Sequence, residues 1–188
     1  MSDRRLRVDE HYDVLSSVEV LALIAPTLKT NPRGWKWMIL AAQNAVQGAL
    51  VCAIQDSTGT SVLRTDSASE VLNWLDAPTE EFPKEYLASF GTLLKKYRKA
   101  YPNSIEPGLH CKIRKLHNVY RNVYRNNFAH FVPHSWSIET ELIPPLIAAA
   151  LECIEIAMQQ HQVTIRTNGN FKRSLSENLA AISRMMSA

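Results

Sequence analysis

A chain of 188 residues, 46% hydrophobic with a net charge of +3, has the length of one domain and enough apolar surface for a core, which excludes a disordered or fibrous protein. Only 6 glycines, and no alternating runs of β-branched residues, favour helices over sheet. The 3 cysteines, Cys52, Cys111 and Cys153, are widely separated and odd in number. They make neither a metal spacing nor a disulfide framework, and, set among apolar neighbours, they predict reduced, buried thiols in a cytoplasmic protein.

Residues 1–12 are charged and predict a loose start, with no apolar stretch of the kind a signal peptide needs. Leu15, Val18, Leu21, Leu23, Ile24 and Leu28 predict a first helix across 14–28, capped by Ser16 or Ser17. Residues 35–54 are the most apolar run. Lys36, Gln43, Asn44 and Gln47 interrupt it, and polar groups are costly in a bilayer, so the segment predicts a central bundle helix and no membrane partner. Lys36, Gln43 and Gln47 fall on one line of that helix, a polar stripe that faces water or borders a functional groove.

Ser67, Ala68, Ser69 and Glu70 start a short helix that runs through Leu75. Phe82 and Pro83 predict the opening of the next helix, with the proline in its first turn and Tyr86, Leu87, Phe90, Leu93, Leu94 and Tyr97 as its apolar stripe. Glu106, Pro107 and Gly108 turn the chain into a helix striped by Leu109, Ile113, Leu116, Val119, Tyr120 and Val123. Pro144 and Pro145 either kink the following apolar helix or restart it. Ser174 and Glu177 form a capping-box pattern ahead of Leu175, Leu179, Ile182 and Met186. The expected fold is all-α, an up-and-down helical bundle of four to five main helices over residues 1–162. A linker and short amphipathic helix at 163–188 form a C-terminal appendage that docks on the bundle or on a partner chain.

Charge is unevenly spread. Between Lys84 and Arg125 ten basic residues stand against two acids, Glu85 and Glu106, which leaves a local charge of +8 and −5 for the rest. Such a concentration suits a polyanion or marks a solvated helical face. No Gly-rich phosphate loop, Gly-Lys-Ser/Thr, His-Glu-x-x-His or nucleophile elbow is present. His130 and His134 have a helical metal spacing, but Pro133 between them argues against a continuous helix, so neither a metal nor a cofactor is expected. His110 and His117 read as partly exposed surface histidines.

What remains is Arg125-Asn126-Asn127-Phe128-Ala129-His130, followed by the break at Pro133. Arginine grips phosphate with a planar fork of donors, and histidine moves protons near neutral pH. Five residues on a helix place two side chains about 140° apart, so one helix does not aim both at one atom, while a two-fold axis beside the motif brings Arg125 of one chain toward His130 of another.

In its helical context this stretch resembles the signature of the HEPN superfamily (higher eukaryotes and prokaryotes nucleotide-binding domains): Arg, four to six residues, His, often with a polar residue directly after the Arg. The resemblance implies a dimerising helical bundle and a metal-independent endoribonuclease, of a kind frequent in toxin–antitoxin, phage-defence and RNA-processing systems. It implies that Arg125 contacts the scissile phosphate, that His130 is general acid or base, and that Asn126 orients them. Arg121, Lys95, Lys96 and Lys99 are then candidates to track the RNA backbone and Tyr124 to stack on a base. RNA, a second copy of the chain and an antitoxin are the implied partners. Val132 stands where some toxin members carry a modifiable Tyr, which weighs against a partner of that type. A non-catalytic module that binds RNA, nucleotide or protein through the same basic region is the alternative.

Overall fold

Apolar residues at three- and four-residue spacings become helices along most of the chain. The computed structural model describes residues 8–79, 81–121 and 139–186. Among them are eight α-helices and no strand beyond a single antiparallel bridge between Leu63 and Leu87. The helices are α1 (Glu10–Ile24), α2 (Gly34–Ile54), α3 (Thr65–Asp76), α4 (Phe90–Ala100), α5 (Pro107–Val119), α6 (Pro144–Met158), α7 (His161–Thr164) and α8 (Gly169–Met186). The expected all-α bundle is the fold.

α2 is its axis. Met38, Ile39, Ala42, Ala45, Val46, Ala49, Leu50 and Ala53 are fully buried, and the helix packs against α1, α6 and α4. Burying each large side chain contributes roughly 1.5–3 kcal/mol. Among the described residues α2 is the one helix long and apolar enough to cross a membrane, yet 67% of that window is buried inside the fold, as a core helix requires. Its polar stripe does not face water throughout, since Gln43 is only 3% exposed. α1 approaches α2 closely at Gly48, where a Cβ would stand 2.7 Å from Val14 Cγ2. Asn44 Nδ2 ties the pair by donating to Asp13 Oδ2 at 3.0 Å and Ser17 Oγ at 2.9 Å.

Several boundaries differ from the sequence expectation, each for a local hydrogen-bonding reason. α1 begins at Glu10, because Asp9 accepts from the Tyr12 amide at 2.9 Å and Ser17, the expected cap, is buried inside the helix. The helix expected to open at Phe82 and Pro83 starts only at Phe90. Ser67 Oγ accepts from the Tyr86 amide and donates to the Lys84 carbonyl, both at 3.0 Å, while the Ala88 amide donates to Val62 O and the Arg64 amide to Tyr86 O, both at 2.9 Å. These bonds hold 84–88 beside 62–64, and Ser89 then caps α4 by accepting from the Thr92 amide. At the prolines the chain restarts: Pro144 occupies the first turn of α6, where its missing N–H has no helical acceptor to lose. Ser174 is not a cap either, since α8 already runs from Gly169 and the Phe171 amide donates to Asn168 Oδ1 at 2.9 Å. α8 packs against α1 and α6, with Phe171, Leu175, Leu179 and Ile182 buried in the common core.

Two of the thiols share that core. Burial pushes Cys52 and Cys153 each up to about 12, with the nearby Glu10 adding to the shift at Cys52, whereas Cys111, expected to be buried, is exposed on the outer face of α5. The thiolate is the reactive form. A chromogenic disulfide reagent should therefore titrate one thiol of the 3 in the native chain and all of them after denaturation. Rapid native reaction of Cys52 or Cys153 would contradict this packing.

Candidate nucleic-acid interface

α4 and α5 diverge above the core and leave a groove of about 1020 Å³ between them. Helical geometry decides which side chains reach it. Residues step by 100°, so relative to His110 the side chains of Arg114 and His117 lie at about 40° and 340°, and Arg121 follows two residues past the end of the helix. All four line the groove. The buried seam of α5, Leu109, Ile113 and Leu116, falls at roughly 240–300° on the same wheel and faces α6 and the core. Lys112 and Lys115, at about 200° and 140°, point elsewhere and do not line it. From α4, Lys95 and Arg98 supply the opposite wall, one turn apart, while Leu93, Leu94 and Tyr97 anchor that helix in the core. Gln47 reaches the groove from α2, so the α2 polar stripe does border it at that residue.

The electrostatics are one-sided. The described residues lining the groove include Lys95, Arg98, Arg114 and Arg121 and not a single carboxylate. Like charges facing one another across a low-dielectric wall raise the local potential and attract anions. The two histidines feel this field. Burial, with Arg98 and Arg114 beside it, lowers His110 below the usual histidine range. Burial, with Arg121 beside it, does the same for His117. Both rings are therefore neutral at pH 7. His117 lies flat on Phe90, ring centres 4.3 Å apart at 14°, with Tyr120 at 6.3 Å.

Comparison with family models, with curated proteins and with solved structures finds no match for this chain.

Of the sequence candidates, the structure brings Lys95 and Arg121 into one groove. Lys96 has another task. Its Nζ donates to the carbonyls of Ser61 at 2.7 Å and Leu63 at 2.8 Å, pinning the 60–63 turn to α4. Lys99 is exposed in the last turn of α4 and does not line the groove. Arg125, Asn126, His130 and Tyr124 lie outside the described residues, as do Val132, Pro133 and His134. The sequence reading passed over Arg114, His110 and His117 as groove residues, and took Arg98 only as part of a basic 95–99 cluster. Their signal was present in the spacing, since His110, Arg114, His117 and Arg121 recur at steps of four, three and four. What the sequence lacked was the second wall, because only packing shows which face of α4 stands opposite.

Among the described residues Asp9, Glu10 and His11 also place ligand atoms close together. Asp9 is the N-cap of α1 and Glu10 Oε1 accepts from Gln55 Nε2 at 3.1 Å, so both carboxylates already have protein partners.

Proposed function

We propose that this chain is a metal-independent endoribonuclease of HEPN type that works as a homodimer. The α4–α5 groove holds the RNA backbone, and Arg125 and His130 of two chains act on the scissile phosphate. The observation that carries the reading is the acid-free groove walled by Lys95 and Arg98 on one side and by Arg114 and Arg121 on the other. Cations facing one another across a trough suit a polyanion, and the α5 wall ends at Arg121, four positions before Arg125.

The chemistry asks little of the protein. RNA carries its own nucleophile, the 2′-hydroxyl. His130 takes the proton of that hydroxyl as its oxygen attacks phosphorus, Arg125 stabilises the charge on the phosphorane oxygens, and the bond to the 5′-oxygen breaks as that oxygen gains a proton. The products are a 2′,3′-cyclic phosphate and a 5′-hydroxyl. Asn126 orients the pair.

The test reverses the groove charge. Arg98→Glu with Arg114→Glu should weaken binding of a single-stranded RNA more than tenfold and slow its cleavage in proportion, because like charges then face the phosphates. Cleavage by the unaltered chain should survive excess chelator. Unchanged binding by the charge-reversed chain, or cleavage that stops with chelator, would sink the reading. Tight, salt-sensitive binding with no cleavage under any condition would select the non-catalytic RNA-binding module, which the same groove supports.

A further inference from the structure

We propose that His117 is a substrate-contacting residue of the α4–α5 groove, donating from Nε2–H to a phosphate oxygen of a single-stranded RNA segment laid along His110, Arg114, His117 and Arg121. The inference rests on the reading that this groove holds RNA, and it adds a named contact and a strand state.

The tautomer follows from burial. Nδ1 of His117 is a buried atom without a hydrogen-bond partner. A neutral imidazole carries one N–H and one lone pair. A buried N–H left without an acceptor costs more than a buried lone pair left without a donor, so the proton sits on Nε2. The same buried Nδ1 opposes a second proton, because an imidazolium would place an unmatched N–H there. His117 is therefore a neutral donor. Stacking on Phe90 fixes the plane of its ring, so the donor is oriented before any ligand arrives.

The groups around it all favour an anion. Lys95 and Arg98 line the groove from α4, Arg114 and the neutral His110 from α5, Arg121 from just past its end, and the uncharged Gln47 from α2. α6 meets α5 on the apolar seam and contributes no lining residue. Lys95, Arg98 and Arg114 make no ion pair among the described residues, so a phosphate need not displace an existing carboxylate from them.

The shape favours one strand. Nine helical steps from His110 to Val119 cover about 13 Å, room for roughly four stacked nucleotides at 3.4 Å each, and Arg121 stands just beyond. A single backbone in the trough touches the cations of both walls at once. Aromatic rings in a basic groove are also the usual arrangement for single-stranded ligands, and the His117 and Tyr120 rings stand in the wall.

The experiment uses the full-length chain and a fluorescein-labelled 12-nucleotide oligouridine whose riboses are 2′-O-methylated. That probe lacks the nucleophile, so binding is read without cleavage. His117→Phe keeps an aromatic ring on Phe90 and removes the donor, and its affinity should fall about tenfold, equally at pH 7 and pH 8. His117→Gln restores an N–H at similar reach and should bind within about threefold of the unaltered chain. Should His117→Phe fail to fold by circular dichroism, His117→Leu replaces it with the same expectation. A duplex of the same length should bind at least about tenfold more weakly than the single strand. Unchanged affinity in the Phe or Leu variant overturns the contact, a deficit that grows between pH 8 and pH 7 overturns the neutral donor, and equal binding of duplex overturns the strand assignment. An unaltered chain that ignores the probe overturns the RNA reading itself, and this inference with it.

Discussion

Arg125→Ala and His130→Ala should each lower the single-turnover rate of RNA cleavage by about a thousandfold. Removing positioned proton transfer, or one preformed contact to the charge that develops at phosphorus, typically costs that much. Both residues lie outside the sequence ranges of α1, α2, α6 and α8, which hold most of the described core, and the circular-dichroism spectrum and oligomer mass should be unchanged. A sharper version mixes the two inactive chains. A site assembled from Arg125 of one chain and His130 of its partner is intact in only one of the two possible pairings within a mixed dimer. Random exchange should then restore about a quarter of the unaltered activity. Full activity in either purified mutant removes the residue from the mechanism. A mixture that stays dead while both chains fold and exchange argues against a site shared between chains.

Lys96→Met should destabilise the fold by about 2–4 kcal/mol and leave RNA affinity within about threefold. Lys96 stands next to Lys95 in sequence, but its ammonium donates to the carbonyls of Ser61 and Leu63 on the far side of α4. Hydrogen bonds to a charged group contribute roughly 1.5–3 kcal/mol, and two part-buried carbonyls lose their partner at once. For a domain of this size the melting temperature should drop by about 5–12 °C. Lys95→Met, whose side chain lines the groove, should show the reverse: no measurable change in melting and a flatter dependence of RNA affinity on salt. If both variants behave alike in melting and in binding, the division of labour between the neighbours is refuted.

That pair shows where sequence reading stops. The local excess of ten basic residues over two acids is legible directly. Which of them face one another is not, because an α-helix turns neighbours 100° apart and the partner of each face is set by packing. The same limit appears at residues 82–89. Tyr86, Leu87 and Phe90 fit a helical stripe, but Ser67, from a different helix, offers the 84–86 backbone a hydrogen bond at each end. A helix forms there only if its own bonds outcompete those, and no pattern within 82–89 records the competitor. The Ser174 and Glu177 pattern failed for a related reason: Asn168 caps α8 six residues upstream of Ser174, so the helix was already under way.

The sequence by itself determined the all-α class, the central place of the 35–54 segment and the basic middle of the chain. Periodicity, composition and charge count are properties of a string, and burial of an apolar stripe follows from them whatever the partner. Only the tertiary structure decided that Gln43 is buried while Gln47 reaches the groove, and that Lys96 braces a turn while Lys95 faces its trough. Likewise, two histidines that read as surface residues stand in a cationic wall, one with its ring fixed on Phe90. These depend on the angle and distance at which α4 meets α5 over α2, and those are set by how whole side-chain surfaces interlock rather than by any short stretch of residues.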